Sequence, residues 1–598
     1  MEATLLPLVT SEVVLISTKT TLPIEDKPTQ VKVVDHLTAK YAAKRTIMLA
    51  AATNGSALPP STSDPTSIEP TVDSSSLGSH PMITRAKASI FKTHHPANIG
   101  ILGSSGLFYA LLAFTKPKGF KSTTKNPTWV TLVRISAVIV LALVSIATVD
   151  AMNPRLSSNT LKFQAINCRK HSALLTEFGG VGDGVTSNTN AFRKAIEHLS
   201  TLAADGGAQL IVPPGKWLTG SFNLTSHFTL FIDKEAKILA SQKESEWPLV
   251  EVLPSYGRGR EAPGGRYNSL IFGTNLTDVV ITGNNGTIHG QGSSWWEKFK
   301  KGELKVTRPH VIEIMYSDQI QISDLTLINS PFWCVHPIYS RNVIIQGLTI
   351  LAPVTVPNTD GINPDSCSNI RIEDCYIVSG DDCIAIKSGW DQYGIKFGMP
   401  TEDLVIRRLT CISPDSAGIA LGSEMSGGIR NVRIENVTAI NTQSAVRIKT
   451  ARGRGGFVKD IFVRRMFLST MKYVFWMTGD YKSHADDKFD PSALPVIKNI
   501  NYRDVVAENV NMSANLAGIS GDPFTDICMS NVKIGLSKKP KKLQWNCTDV
   551  EGFSSDVDPP PCAPLAKAVK NGGCDFPEDK LPIENVELKS CSVEIPAF

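Results

Sequence analysis

The sequence predicts an all-β fold, a parallel β-helix, on two observations. Short β-branched segments recur with similar openings: Asn342-Val343-Ile344-Ile345, Asn369-Ile370-Arg371-Ile372, Leu404-Val405-Ile406, Asn431-Val432-Arg433-Ile434 and Lys459-Asp460-Ile461-Phe462-Val463. Equivalent apolar positions are spaced by 34 residues (Ile370 to Leu404), 28 (Leu404 to Val432) and 29 (Val432 to Ile461). A long period made of short strands and Gly/Asn/Asp turns is the signature of a solenoid, whereas a β-sandwich needs no fixed long period. Stacked coils place equivalent residues ~4.8 Å apart.

Along the 598 residues the organisation reads as three parts. Residues 1–128 have no sustained periodicity, and Ser, Thr and Pro dominate Asn54 to Ser79, so a low-complexity, disordered extension is expected. Within it, His80 to Lys92 (HPMITRAKASIFK) resembles the stretch before the reverse transcriptase of copia-type retrotransposon polyproteins; no polymerase sequence follows, and the segment is read as a relic without function. Trp129 to Val149 is apolar apart from Arg134, with Lys116, Lys118, Lys121 and Lys125 upstream and the small Ala151 just after it. Residues 129–151 therefore read as a signal peptide or a signal anchor. Either sends the remainder, a β-helix over 165–598, out of the cytosol.

All 11 cysteines fall between Cys168 and Cys591. Cys375, Cys383 and Cys411 lie in strand-like sequence and are expected to pack as small hydrophobes. Cys528, Cys547, Cys562, Cys574 and Cys591 lie in loop-like sequence and are expected to form disulfides of a secreted protein. Sequons at Asn223, Asn275, Asn285, Asn436, Asn511 and Asn546 fit the same route. The net charge of +5 is too mild for a nucleic-acid binder, and no cysteine spacing matches a zinc site.

Three motifs carry the chemistry: Asn358-Thr359-Asp360-Gly361, Gly380-Asp381-Asp382 and Arg447-Ile448-Lys449. Asp360 and Asp381 are 21 residues apart, close to one coil, so neighbouring coils can present both to one surface. Glycosidic hydrolysis needs one carboxyl group protonated and another ionised, and clustered carboxylates raise one another's proton affinity. Arg447 and Lys449, two apart on a strand, point to one face and suit the carboxylates of an acidic polysaccharide. Lys387, Arg452 and Arg454 add positive charge nearby. The bland alternatives are an exposed Asp-Asp turn, a chance Arg-x-Lys strand and a calcium site.

From Thr176 onward the chain resembles glycoside hydrolase family 28, the polygalacturonases, through these motifs together with Phe178-Gly179-Gly180-Val181-Gly182-Asp183-Gly184, Pro213-Pro214-Gly215 and Ser330-Pro331-Phe332-Trp333. The resemblance implies a right-handed, pectin-lyase-like β-helix that hydrolyses α-1,4 galacturonosyl linkages of pectin. It implies Asp381 as general acid and Asp360 and Asp382 as holders of the attacking water. Arg447, Lys449 and Asn358 would bind substrate. Inversion is implied too, with acid and base about 6.5–9.5 Å apart. No metal or organic cofactor is expected; the only partner expected is polygalacturonan, the protein acting as a secreted, cell-wall monomer unless residues 129–149 anchor it in a membrane. The family pattern carries His where this chain has Ala417, and loss of a proton-transfer assistant costs at most about 10²–10⁴ in rate. Ser416 and Glu424 are the nearby polar groups. The rival readings are a weakened pectin-binding protein and a calcium-dependent pectate lyase.

Overall fold

The structure, a computed structural model, describes residues 168–568 and 573–588. The predicted extension (1–128), the His80 to Lys92 segment and the apolar segment 129–151 lie outside the described residues. Among the described residues no helix is long and apolar enough to cross a membrane.

The chain winds into a right-handed parallel β-helix, and the recurring segments found in the sequence are its coils. Val343 pairs with Ile370, Ile370 with Leu404, Leu404 with Val432, Val432 with Ile461, Ile461 with Ile500 and Ile500 with Ile527, all in parallel. The predicted spacings are therefore the true coil lengths. Two residues further along each strand, Ile345, Ile372, Ile406, Ile434, Val463, Tyr502 and Met529 face the same interior. None of these fourteen side chains is more than 1 % exposed. Alternation along each strand puts one face in the core and the other outside.

The Asn or Asp that opens each segment makes a corner. Asn342, Asn369, Asp403, Asn431, Asp460, Asn499 and Asp526 all have φ between 51° and 57°, a left-handed conformation that short polar side chains tolerate better than most residues. Their side chains then bond along the stack: Asn369 Nδ2 donates to Asn342 Oδ1 at 3.2 Å, Asn431 Nδ2 to Asp403 Oδ1 at 2.6 Å and Asn499 Nδ2 to Asp460 Oδ1 at 2.8 Å. In the later coils the strands Ile429–Lys449, Phe457–Thr478 and Val496–Ala517 run unbroken around further left-handed corners, such as Asn436 and Asn441.

One helix, α1 (Thr189–Ser200), covers the N-terminal end of the stack, burying Phe192, Ala195 and Leu199; Phe192 stacks on Phe222 with ring centroids 4.4 Å apart. Covering the first coil hides a sheet edge that would otherwise template pairing. Disulfides join Cys528 to Cys574 and Cys547 to Cys562, as expected of the later cysteines; Cys591 lies outside the described residues. Cys383 and Cys411 correct the expectation, because they too form a disulfide, across the core between two walls of the coil. Cys375 is a buried free thiol, as are Cys334 and Cys367.

The C-terminal tail folds back along one wall. Leu581 and Ile583 cover the outward-facing Ile344 and Val405, and Arg371 Nη1 donates to the carbonyls of Ile583 at 2.9 Å and Val586 at 2.7 Å. Arg371→Ala should therefore cost about 1–3 kcal/mol and expose the chain between residues 575 and 588 to limited proteolysis. An unaltered digestion pattern would show that the apolar contacts alone hold the tail.

Candidate active site

The three acidic positions stand on one outer wall because of the coil register. Ile362 bridges Ile384 and Asp365 bridges Lys387, so this coil is 22 residues long and Asp382 is the in-register neighbour of Asp360. The sequence spacing predicts Asp360 and Asp381 on one surface, and the structure places both there, with the in-register step one residue further on. Backbones approach closely here. A Cβ on Gly380 would stand 2.0 Å from the Val356 carbonyl oxygen, and one on Gly361 would stand 2.5 Å from that of Cys383. Glycine flanks both carboxylate motifs for that reason.

Asp360, Asp381 and Asp382 each offer an oxygen within 4.8 Å of the other two, closer than the expected 6.5–9.5 Å. Asp360 and Asp382 are 3 % and 1 % exposed, while Asp381 is only partly buried and has the freest access to a substrate. Asp381 Oδ2 accepts from the Asn358 backbone N–H at 3.1 Å and from Asn358 Nδ2 at 3.4 Å. Its Oδ1 accepts from the Asp382 N–H at 2.9 Å and from Ser416 Oγ at 2.9 Å. Asp382 accepts at Oδ2 from Lys449 Nζ (2.5 Å) and at Oδ1 from Ser416 Oγ (2.6 Å) and the Ala417 N–H (3.1 Å). Lys387 Nζ lies 3.7 Å from Asp360 Oδ2 and 3.1 Å from Glu424 Oε2. Glu424 also accepts from Arg260 Nε at 2.7 Å.

These contacts split the carboxylates electrostatically. Burial, reinforced by the charge of Asp381, pushes the Asp360 carboxyl well above its ordinary value. Burial acts on Asp382 as well, but Lys449 outweighs it and holds Asp382 below the ordinary range. Burial likewise opposes ionisation of Glu424, and Arg260 and Lys387 overcome it, holding that carboxyl well below its usual value. Four carboxylates face three paired cations, Lys387, Lys449 and Arg260. One negative charge is left over, and the raised Asp360 carboxyl is where a proton is most favoured. One protonated and one ionised carboxyl, side by side, is what acid/base hydrolysis of a glycoside requires.

Lys449 is 6 % exposed and pairs with Asp382. Asn358 likewise holds Asp381. Arg447 remains available: its guanidinium lies 3.6 Å over the Trp476 ring, its Nη1 donates to Gln443 Oε1 at 3.3 Å, and its Nε has no partner. Arg454 is fully buried against Asp391 and the Ser483 carbonyl, and Arg452 donates to the Ser520 carbonyl. Arg452 adds nothing to the site, whereas the charge of Arg454 helps to hold Glu424 low. Ala417 is fully buried against Ala385 and Ala420. An imidazole there would have to displace them, at a typical overpacking cost of about 1–3 kcal/mol, so substitution by His would not be neutral for stability. Of the two polar groups near Ala417, Ser416 touches the carboxylates directly, and Glu424 reaches them through Lys387.

Sequence reasoning missed the loop Tyr256 to Glu261, whose Gly/Arg alternation was its only signal. Glu261 pairs with Arg308, and Arg308 Nη2 donates to Asn358 Oδ1 at 3.1 Å, a relay that ends on Asp381. The Trp333 ring lies 4.2 Å from Lys387 Nζ, which places the Ser330 to Trp333 motif beneath the site.

Residues 208–557 match the family described as Glycosyl hydrolases family 28. The chain is 64 % identical over 460 residues to a probable polygalacturonase of Vitis vinifera, covering 77 % of this chain and 94 % of that protein. An exopolygalacturonase from Thermotoga maritima superposes with a TM-score of 0.57 at 28 % identity, covering 67 % of this chain and 94 % of that one. A polygalacturonase from Erwinia carotovora shares the fold, with a TM-score of 0.51 at 23 % identity over 65 % of this chain and 98 % of that one.

Ser416 supplies a hydroxyl to two carboxylates at once, so Ser416→Ala should lower kcat about 10- to 100-fold, as loss of a charge-assisted hydrogen bond does, with little change in KM. Equal turnover in the variant would mean that water replaces the hydroxyl.

Proposed function

The chain belongs to glycosyl hydrolases family 28 and is a glycoside hydrolase of the polygalacturonase type, and we propose that it cuts galacturonosyl linkages of pectin with Asp381 as the acid and Asp382 as the base. The observation that carries this reading is the split within one carboxylate cluster: Lys449 pairs with Asp382 and holds it below the ordinary carboxylate range, while burial pushes Asp360 well above it. Asp381, the most open of the three carboxyl groups and within 4.8 Å of Asp360, relays a proton to the leaving oxygen. Asp382 takes a proton from the attacking water, and Asp360 steadies that water. Arg447, with donors to spare, grips a substrate carboxylate. Lys387 and Lys449 already neutralise the carboxylates where a calcium ion would sit, which supports hydrolysis without a metal.

The short spacing taken alone favours a retaining mechanism. The bonding supports inversion instead. Asp382 accepts three hydrogen bonds and is a poor nucleophile, and a protonated Asp360 is poorer still, so water is the attacking group. Secretion to the cell wall fits the plant relative and the sequons, since Asn223, Asn275, Asn285, Asn436 and Asn511 are at least partly exposed. Residues 129–151 would direct that export.

Two experiments test the reading. Asp381→Asn should reduce sugar release from polygalacturonate about 10²- to 10⁴-fold while binding persists, and NMR of the parent's first products should show the inverted anomer. Undetectable hydrolysis by the parent, with salt-sensitive pectin binding weakened by Arg447→Ala, would make the protein a pectin binder. The pH profile carries the second test. Rate should fall on the alkaline side as the raised carboxyl loses its proton, well above the ordinary value of about 4, and on the acid side only as Asp382 protonates below it. Asp360→Asn removes the carboxyl whose value is raised, so the alkaline limb of its residual activity should move to lower pH. A limb that stays in place would assign the proton to another group.

A further inference from the structure

The outer face of the wall that carries the carboxylates does not end at Arg447. In register, Ala385 is followed by Ala420, Arg447, Trp476, Asn515 and Asn546, one residue per coil. A second row runs beside it through Ala417, Ser444, Tyr473 and Met512. Where the two rows leave the catalytic coils, Tyr473, Met512, Asn515, Lys541, Leu543 and Asn546 line an open pocket of about 410 Å³, within the usual size of small-ligand sites. The surface leading there is continuous. Arg447 lies over the Trp476 ring, the Trp476 and Tyr473 ring centroids are 4.7 Å apart, and Lys541 Nζ donates to Tyr473 Oη at 3.1 Å.

The lining has the chemistry of a carbohydrate site. Tyr473 and the 59 % exposed Leu543 meet the C–H faces of a pyranose, and Lys541 meets a carboxylate. The Asn515 and Asn546 carboxamides, joined by a 2.8 Å hydrogen bond from Asn546 Nδ2 to Asn515 Oδ1, meet the pyranose hydroxyls with their remaining donors and acceptors. Lys541 lies in the run Lys538-Lys539-Pro540-Lys541-Lys542, which gives this rim a field suited to a polyanion. At ~4.8 Å per coil, the pocket is about 14–24 Å from the coil of Asp382. One sugar of an extended galacturonan advances the polymer by a similar step.

We propose that this pocket is a distal subsite for a galacturonosyl unit three to five sugars from the scissile bond, on the Arg447 side. The identity of the sugar rests on the functional reading above; the site itself does not. A long chain would touch both Arg447 and the pocket, so affinity should grow with chain length beyond what the catalytic coils provide.

The test compares oligogalacturonates of two to eight sugars. Activity is measured in the parent, Tyr473→Ala and Lys541→Met, and binding calorimetry uses the same substitutions placed on Asp381→Asn. The parent's kcat/KM should rise with length until the pocket is reached. Each variant should lose about tenfold on the longest oligomers, in kcat/KM and in affinity, with less than a twofold change on the trimer, which is too short to reach the pocket. Losses equal at every length, or no loss on the octamer, would overturn the subsite. Absent hydrolysis together with length-dependent binding that the variants abolish would defeat the catalytic reading and leave the subsite supported.

Discussion

Coil register is the constraint on which the rest depends. A parallel ladder holds equivalent residues one strand spacing apart, so a position in sequence becomes a position along an axis. The 22-residue step from Ile362 to Ile384 brings Asp360 and Asp382 together without any loop having to fold toward another. The carboxylates, which repel one another, stand in the turns that lead into Ile362 and Ile384, and those residues, with Ile419, are fully buried beneath them and fix where the turns sit.

That repulsion is managed by cations drawn from far along the chain. Lys449 comes from two coils beyond Asp382, Lys387 from the strand that follows it, and Arg260 from a loop more than a hundred residues earlier. Burial strengthens each pairing and raises the cost of any charge left over, so the surplus is settled by a proton. The arrangement departs from the family pattern at Ala417, where a serine hydroxyl and a backbone N–H face Asp382 and alanine packs where a ring is usual.

The legible part of the molecule was the part governed by local periodicity. Spacings of 34, 28 and 29 residues reappear as strand registers, because inward apolar positions repeat once per coil. The asparagine and aspartate that open the segments were visible as turn residues, and the structure adds that they bend the chain and ladder together. Relations between walls were not legible. Cys383 and Cys411 bond across the interior from different walls, which no single period relates. That Asp360 and Asp381 share one surface was legible from their spacing, but the exact step of 22 residues, to Asp382, was not, because the acidic motifs sit beside a corner. The contacts of Lys449 with Asp382 and of Asn358 with Asp381 were not legible either, because a sequence shows that a polar side chain faces outward but not what it meets there.

The interior also keeps oxidised and reduced sulfur side by side. Cys334, Cys367 and Cys375 share the apolar core with the Cys383–Cys411 bridge. Burial pushes each of these thiols up to about 12, far above the ordinary value. Disulfide exchange begins with attack by a thiolate, and at neutral or acid pH these sulfurs remain protonated. Once the coils close, desolvation preserves the pairing, and the bridge is as safe beside three thiols as it would be with none.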